Sequence, residues 1–125
     1  TYRVYDYDRL SNGKPRDLHV KQSIDVITVP AKPVEDSVIS VKADKANELC
    51  ELISCKYYTV YKLDVEGKAE LNVGDKPFLI MSVVEGSGTV DGNAIKKGDH
   101  FILPNGYSRP VFEGDMEIVA STVSK

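Results

Sequence analysis

Apolar and polar positions alternate along much of this chain at the two-residue period of a strand that buries one face. Tyr57, Thr59, Tyr61 and Leu63 share one parity over 57–63, and Met116, Ile118 and Ala120 oppose Glu117, Val119 and Ser121 near the end. Val38 to Val41 and Leu49 to Ser54 read as shorter strands on either side of the polar residues 42–48. Phe78 to Val84 is apolar on both parities, which predicts a strand covered on each side. The opening residues 1–9 also alternate, with Tyr2, Val4 and Asp6 against Arg3, Tyr5 and Tyr7, and predict a strand. One stretch departs from this period. After Asp17, Val20, Ile24 and Ile27 fall at i, i+4 and i+7, the apolar stripe of a short helix that Asp17 can cap and that ends before Pro30.

Gly, Pro, Asn and Asp divide the runs. Ser11-Asn12-Gly13-Lys14-Pro15 reads as a loop and residues 30–37, with Pro30 and Pro33, as a linker or lead-in segment. Gly67, Asn72-Val73-Gly74-Asp75, Glu85-Gly86-Ser87-Gly88 and Glu113-Gly114-Asp115 mark turns, and Asp91-Gly92 is a two-residue hairpin turn. A strand opens at Gly98-Asp99, runs through Phe101, Ile102 and Leu103, and stops at Pro104-Asn105-Gly106, because proline cannot donate to a ladder. Strands this short and this regularly punctuated predict an all-β fold, a small antiparallel barrel or jelly roll, with one short helix near the amino terminus.

Composition bounds the function. At 125 residues and 13.8 kDa the chain is one domain, or one domain plus a piece of another, able to bury roughly two thirds of its unfolded surface. Hydrophobic residues at 42% and charged residues at 28% argue against disorder. A net charge of −3 with interspersed signs argues against a nucleic-acid surface, no polybasic membrane patch is visible, and no apolar run reaches spanning length or signal-peptide character. Cys50 and Cys55 lie an odd number of residues apart. On one strand they point to opposite faces, so free thiols in a reducing cytoplasm are expected. His19 and His100 are the two histidines and stand far apart, so a complete zinc site within this chain is not expected. The chain opens on Thr1 rather than methionine and is expected to be a segment of something longer.

The spacing Gly98, Pro104, Gly106, Arg109 resembles the second signature motif of the cupin superfamily, whose barrel is a jelly roll (double-stranded β-helix). In metal-binding cupins a histidine ligand stands where this chain has Arg109, and a guanidinium offers donors only. The first motif would end at Gly86, placing its His-x-His near Val73 to Asp75 and its glutamate near Leu79; none of those ligands is present. The resemblance therefore implies a cupin barrel without a metal.

Two further pieces narrow it. The opening TYRVYDYDR with the helix DLHVKQSIDVI, and the ending VVEGSGTV…IKKGDHFILPNGYSRPVFEGDMEIVAS, resemble the carboxyl-terminal portion of class I mannose-6-phosphate isomerases of the bacterial type. That family implies a zinc-dependent aldose–ketose isomerase of two cupin barrels, acting on a small-molecule sugar phosphate through a cis-enediol. On this reading residues 1–28 are the last strand and exit helix of the catalytic barrel and 29–125 the second, metal-free barrel. The zinc ligands lie in the missing amino-terminal catalytic cupin domain, and the segment alone is expected to be inactive. The resemblance makes Arg3 the active-site arginine; from residue type alone, Arg3 pairs with a carboxylate such as Asp6 or Asp8.

Other candidates weigh toward structural roles. Arg9, on the parity of Arg3, is a weaker candidate for sugar or phosphate contact and otherwise a solvated loop arginine. His100 is expected to be a satisfied sheet histidine and His19 a surface residue of the first helical turn. Arg109 either binds an anion at the mouth of the second barrel or pairs with Glu113 or Asp115. Tyr57, Tyr58 and Tyr61 offer sugar stacking but read first as half-buried strand aromatics. A second function stands beside the isomerase: a non-catalytic cupin module that binds a sugar or anion, or an interaction domain.

Overall fold

The computed structural model describes residues 1–124, which fall into two units, Thr1–Val38 and the residues from Ile39 onward. In the first, β1 (Leu10–Ser11) and β2 (Lys14–Pro15) form a minimal antiparallel hairpin. Asn12 and Gly13 close it with φ of 53° and 76°, the left-handed pair that a two-residue turn requires. Residues 1–9 form no strand, correcting the expectation from their alternation. Tyr7 and Asp8 take φ of 51° and 54°, and the Arg9 amide donates to the Asp6 carbonyl at 3.0 Å. A chain that turns there cannot stay extended, whatever its pattern.

Helix α1 (Val20–Val26) follows the 3.6 period, but Asp17 does not cap it. His19 holds the cap position, and no side chain caps the helix amides. The stripe Val20, Ile24 and Ile27 is exposed, while Ser23 is buried and donates to the His19 carbonyl at 2.8 Å. A 3-10 turn occupies Val34–Ser37, and segment 29–38 groups with the first unit. Val38–Val41, expected as a strand, forms none: the turn precedes it, polar residues follow, and nothing pairs with it. No helix of the described residues is long and apolar enough to cross a membrane.

The second unit is all-β. Its strands are β3 (Cys50–Ser54), β4 (Tyr58–Glu70), β5 (Phe78–Val90), β6 (Asn93–Lys96), β7 (His100–Pro104) and β8 (Val111–Val123). They pair antiparallel in the order β3-β4-β8-β5-β6, with β7 beside the first half of β5. Their inner faces bury one core, with Leu63, Leu79, Met81, Phe112 and Ile118 fully enclosed. Each such side chain is worth roughly 1.5–3 kcal/mol of burial. β3 carries a bulge between Glu51 and Ile53. Phe78 to Val84 is covered on one face only: Leu79, Met81 and Val83 are buried, but Ile80 and Val84 are exposed.

Three expected turns prove to be strand interior. Gly67, Glu85 to Gly88 and Glu113 to Asp115 all sit within ladders, where Gly67, Gly114 and Gly88 lie side by side across β4, β8 and β5. A Cβ on Gly86 or Gly88 would run into the carbonyls of Asp115 or Glu113. The glycines are needed for close strand approach rather than reversal.

The Asp91-Gly92 turn between β5 and β6 is as expected. The Asp91 carboxylate accepts from the Tyr107 hydroxyl and from the Val111 amide (2.9 Å), and these bonds, Tyr107 first, hold it below the usual carboxylate range. A depressed carboxylate stabilises the fold in full above its unfolded pKa, and that contribution is lost as pH falls through the folded value. Asp91→Asn is therefore expected to lower the melting temperature at neutral pH. The gap from wild type should close as pH drops below the carboxylate range; a gap independent of pH in a melting series would refute this.

Candidate functional site

Arg3 is held at both its backbone and its side chain. Its amide donates to His19 Nδ1 at 3.1 Å, and its carbonyl accepts from the His19 amide at 2.6 Å. His19 is thus a half-buried clasp on residue 3, not the plain surface residue expected. The Arg3 guanidinium donates through Nη1 to the Asp17 carbonyl at 2.9 Å, and its Nε lies 3.4 Å from Asp6 Oδ1. The Arg3–Asp6 pairing expected from residue type is present. It leaves Nη2 with no protein partner among the described residues, so a fixed cation keeps donors to spare.

Asp6 has a stronger partner. Arg16 grips it with a two-pronged fork, Nε to Oδ2 at 2.7 Å and Nη2 to Oδ1. The Arg16 bond is the chief cause holding the Asp6 carboxyl below its ordinary pKa; burial opposes it, and the charges of Arg16, Arg3 and Arg9 add to the depression. Asp6 therefore stays ionised between two guanidiniums and fixes the one at position 3. Sequence reasoning missed Arg16 and the clasp of His19. The signal was the Asn12-Gly13 turn, which folds the chain back so that Arg16 returns to Asp6. Arg9 stands with its guanidinium 5.9 Å from the centre of the Tyr7 ring. It shares with Arg3 one open hollow of about 510 Å³.

In the second unit the candidates are engaged. Arg109 pairs with Glu70 at 3.2 Å, not with Glu113 or Asp115; Glu113 pairs instead with Lys68 at 2.9 Å, across the β4–β8 ladder. His100 Nδ1 lies 2.8 Å from Ser82 Oγ, its register partner on β5, which makes it the satisfied sheet histidine expected. Tyr57 and Tyr58 are exposed, while Tyr61 is half-buried with Lys76 over its ring at 5.3 Å. Cys50 and Cys55 are free thiols. Among the described residues no three His, Cys, Asp or Glu side chains converge to hold a metal ion. Val73 and Leu79, at the expected ligand positions, are buried apolar residues. Among the described residues no such donor set is brought together for a zinc ion.

Residues 48–123 match the family model described as mannose-6-phosphate isomerase, cupin domain. The chain is 40% identical to the mannose-6-phosphate isomerase of Streptococcus mutans and 42% identical to mannose-6-phosphate isomerase ManA of Bacillus subtilis. Each alignment covers 97% of this chain and 39% of the relative, so the chain spans about two fifths of the length of the curated relatives it matches. The crystal structure of the mannose 6-phosphate isomerase from Bacillus subtilis superposes with a TM-score of 0.76 at 38% identity, over 96% of this chain and 39% of that one. The polyketide cyclase RemF from Streptomyces resistomycificus, at 12% identity and a TM-score of 0.51, shares the fold alone.

Proposed function

Because this chain belongs to the mannose-6-phosphate isomerase family through its cupin domain, we propose that it is the carboxyl-terminal part of an enzyme interconverting mannose 6-phosphate and fructose 6-phosphate. The observation that carries this reading is the 40% identity to such an isomerase over nearly the whole chain. The isomerisation moves a proton between C1 and C2 through a cis-enediol whose oxygen gathers negative charge. Arg3 supplies what that oxygen needs. Its guanidinium stays protonated, so it cannot take the proton, and its tethers to Asp17 and Asp6 hold it still while Nη2 faces no protein partner. Arg9, in the same hollow, is assigned the weaker role of contacting the sugar or its phosphate.

Zinc, which the family resemblance implies, is assigned to the catalytic cupin domain outside this chain. The second unit is then a supporting barrel that holds no metal. The exposed Tyr2, Val4, Tyr5, Leu10 and Ile24 of the first unit support completion of that unit by the missing polypeptide. A cytoplasmic setting is favoured by the two free thiols. The 125-residue chain, with zinc added, is expected to convert no mannose 6-phosphate in a coupled assay, whereas the full-length protein does. Turnover by the short chain would refute the assignment of the metal site.

A further inference from the structure

A residue at the start of a helix commonly turns its side chain toward the free amides of the first turn and accepts from one of them. His19 does not. It stands at the cap position of α1, yet its side chain meets no helix amide. Nδ1 instead accepts from the Arg3 amide at 3.1 Å, sixteen residues back along the chain. The His19 amide returns the bond, donating to the Arg3 carbonyl at 2.6 Å, so the two residues exchange bonds as a pair on adjacent antiparallel strands would. A ring nitrogen takes the place of the second carbonyl.

His19 is itself anchored. Its carbonyl accepts from the Ser23 amide at 2.9 Å and from Ser23 Oγ at 2.8 Å, and Ser23 is the buried residue of α1. The Tyr2 ring packs beside the imidazole, with centroids 6.0 Å apart. Residue 3 is therefore gripped twice by one short stretch, at its backbone by His19 and at its guanidinium by the Asp17 carbonyl, 2.9 Å from Nη1. Two anchor points define the direction of the side chain between them. Without the first, the guanidinium keeps its charge and its partners Asp17 and Asp6, but the backbone that carries it is free to drift. A ring nitrogen accepts only when it carries no proton, so the grip requires the tautomer with hydrogen on Nε2.

We propose that His19 is a positioning residue of the isomerisation, an inference that rests on the assignment of Arg3 to that reaction. Its unprotonated Nδ1 fixes the backbone of residue 3 and so aims the guanidinium; it touches no substrate in this role. A misplacement of about 1 Å costs up to about 10²-fold in rate, and the tethers that remain on Arg3 keep the loss below that.

Two measurements test it. In the isotopically labelled 125-residue chain, NMR should show a scalar coupling across the hydrogen bond between the Arg3 amide nitrogen and His19 Nδ1, with the ring proton on Nε2. In the full-length protein, His19→Ala should lower kcat about tenfold while KM changes less than about threefold. His19→Asn places an oxygen where Nδ1 stands and should recover most of kcat, whereas His19→Gln carries its acceptor one bond farther out and should not. Asparagine also caps helices well, so kcat rather than melting temperature is the readout. If the alanine variant fails to fold, the comparison of Asn with Gln still decides. A proton on Nδ1, no coupling, an unchanged kcat, a loss confined to KM, or equal rates for Asn and Gln would each overturn the proposal. A wild-type full-length protein without isomerase turnover would sink the isomerase reading and this role with it; a coupling present in that case would mark the failure as that of the reading rather than of the grip on residue 3.

Discussion

Alanine at Arg3 is expected to lower kcat of the full-length protein in the proposed isomerisation by about 10²–10³. Metal content and folding should hold. The backbone bonds between residue 3 and His19 do not use the arginine side chain, so the local chain path survives its removal. What is lost, on the proposed reading, is a fixed cation whose Nη2 has no protein partner among the described residues. A group that acts only on developing charge changes kcat more than KM, which separates this role from uniform substrate binding. Lysine keeps the charge but cannot reach both Asp17 and Asp6 while donating to substrate, so Arg3→Lys is expected to recover only part of the loss. Asp6→Asn provides the control for positioning. It releases the Arg16 fork and frees Arg3 on one side, and about a tenfold fall in kcat is expected while the Arg3 guanidinium itself remains. A collapse of the fold in Arg3→Ala, rather than of turnover, would return this arginine to a purely structural role.

Gly114→Ala is expected to cost roughly 3–5 kcal/mol, a large part of the 5–15 kcal/mol that holds a domain folded. Two effects combine. Gly114 sits at φ 126°, where a side chain is strained, and a Cβ there would lie 2.6 Å from the Ser87 carbonyl oxygen and 2.7 Å from Gly88 Cα. Both obstacles are backbone held in a ladder, so neither can step aside. Its neighbour in the same row isolates the two terms. Gly67 has φ 72° but open space around its would-be Cβ, so Gly67→Ala should cost only the strain, about 1–2 kcal/mol. Urea unfolding of the two variants measures the difference; equal losses would mean that the close approach of β5 and β8 contributes nothing.

These glycines also show where reading the sequence stopped short. Glycine punctuates a chain either because it turns or because another backbone comes near, and the choice depends on the cross-strand partner, which is absent from any local window. Glu85 to Gly88 and Glu113 to Asp115 looked like turns and lie within 13-residue strands. Asp91-Gly92 carried its own requirement for positive φ and was legible. The amino-terminal alternation failed for a related reason: tyrosines at 2, 5 and 7 supply apolar mass at any spacing, and nothing in the pattern announces the reversal at Tyr7 and Asp8. The candidacy of Arg3 rests on its motif alone. Its dependence on Arg16 and His19 arises when a hairpin and a helix start fold back on one short segment.

The bulge in β3 bears on how the protein behaves when concentrated. β3 pairs only with β4 among the described residues, so its other side presents amides and carbonyls that a second chain could template upon. Between Glu51 and Ile53 the extra residue bends that rim and interrupts the regular spacing, leaving a stacking molecule no long straight row to grip. Straightening it by deleting Leu52 would trade a blunt margin for an adhesive one, and fibril growth followed by a dye that lights up on cross-β stacks would report the exchange.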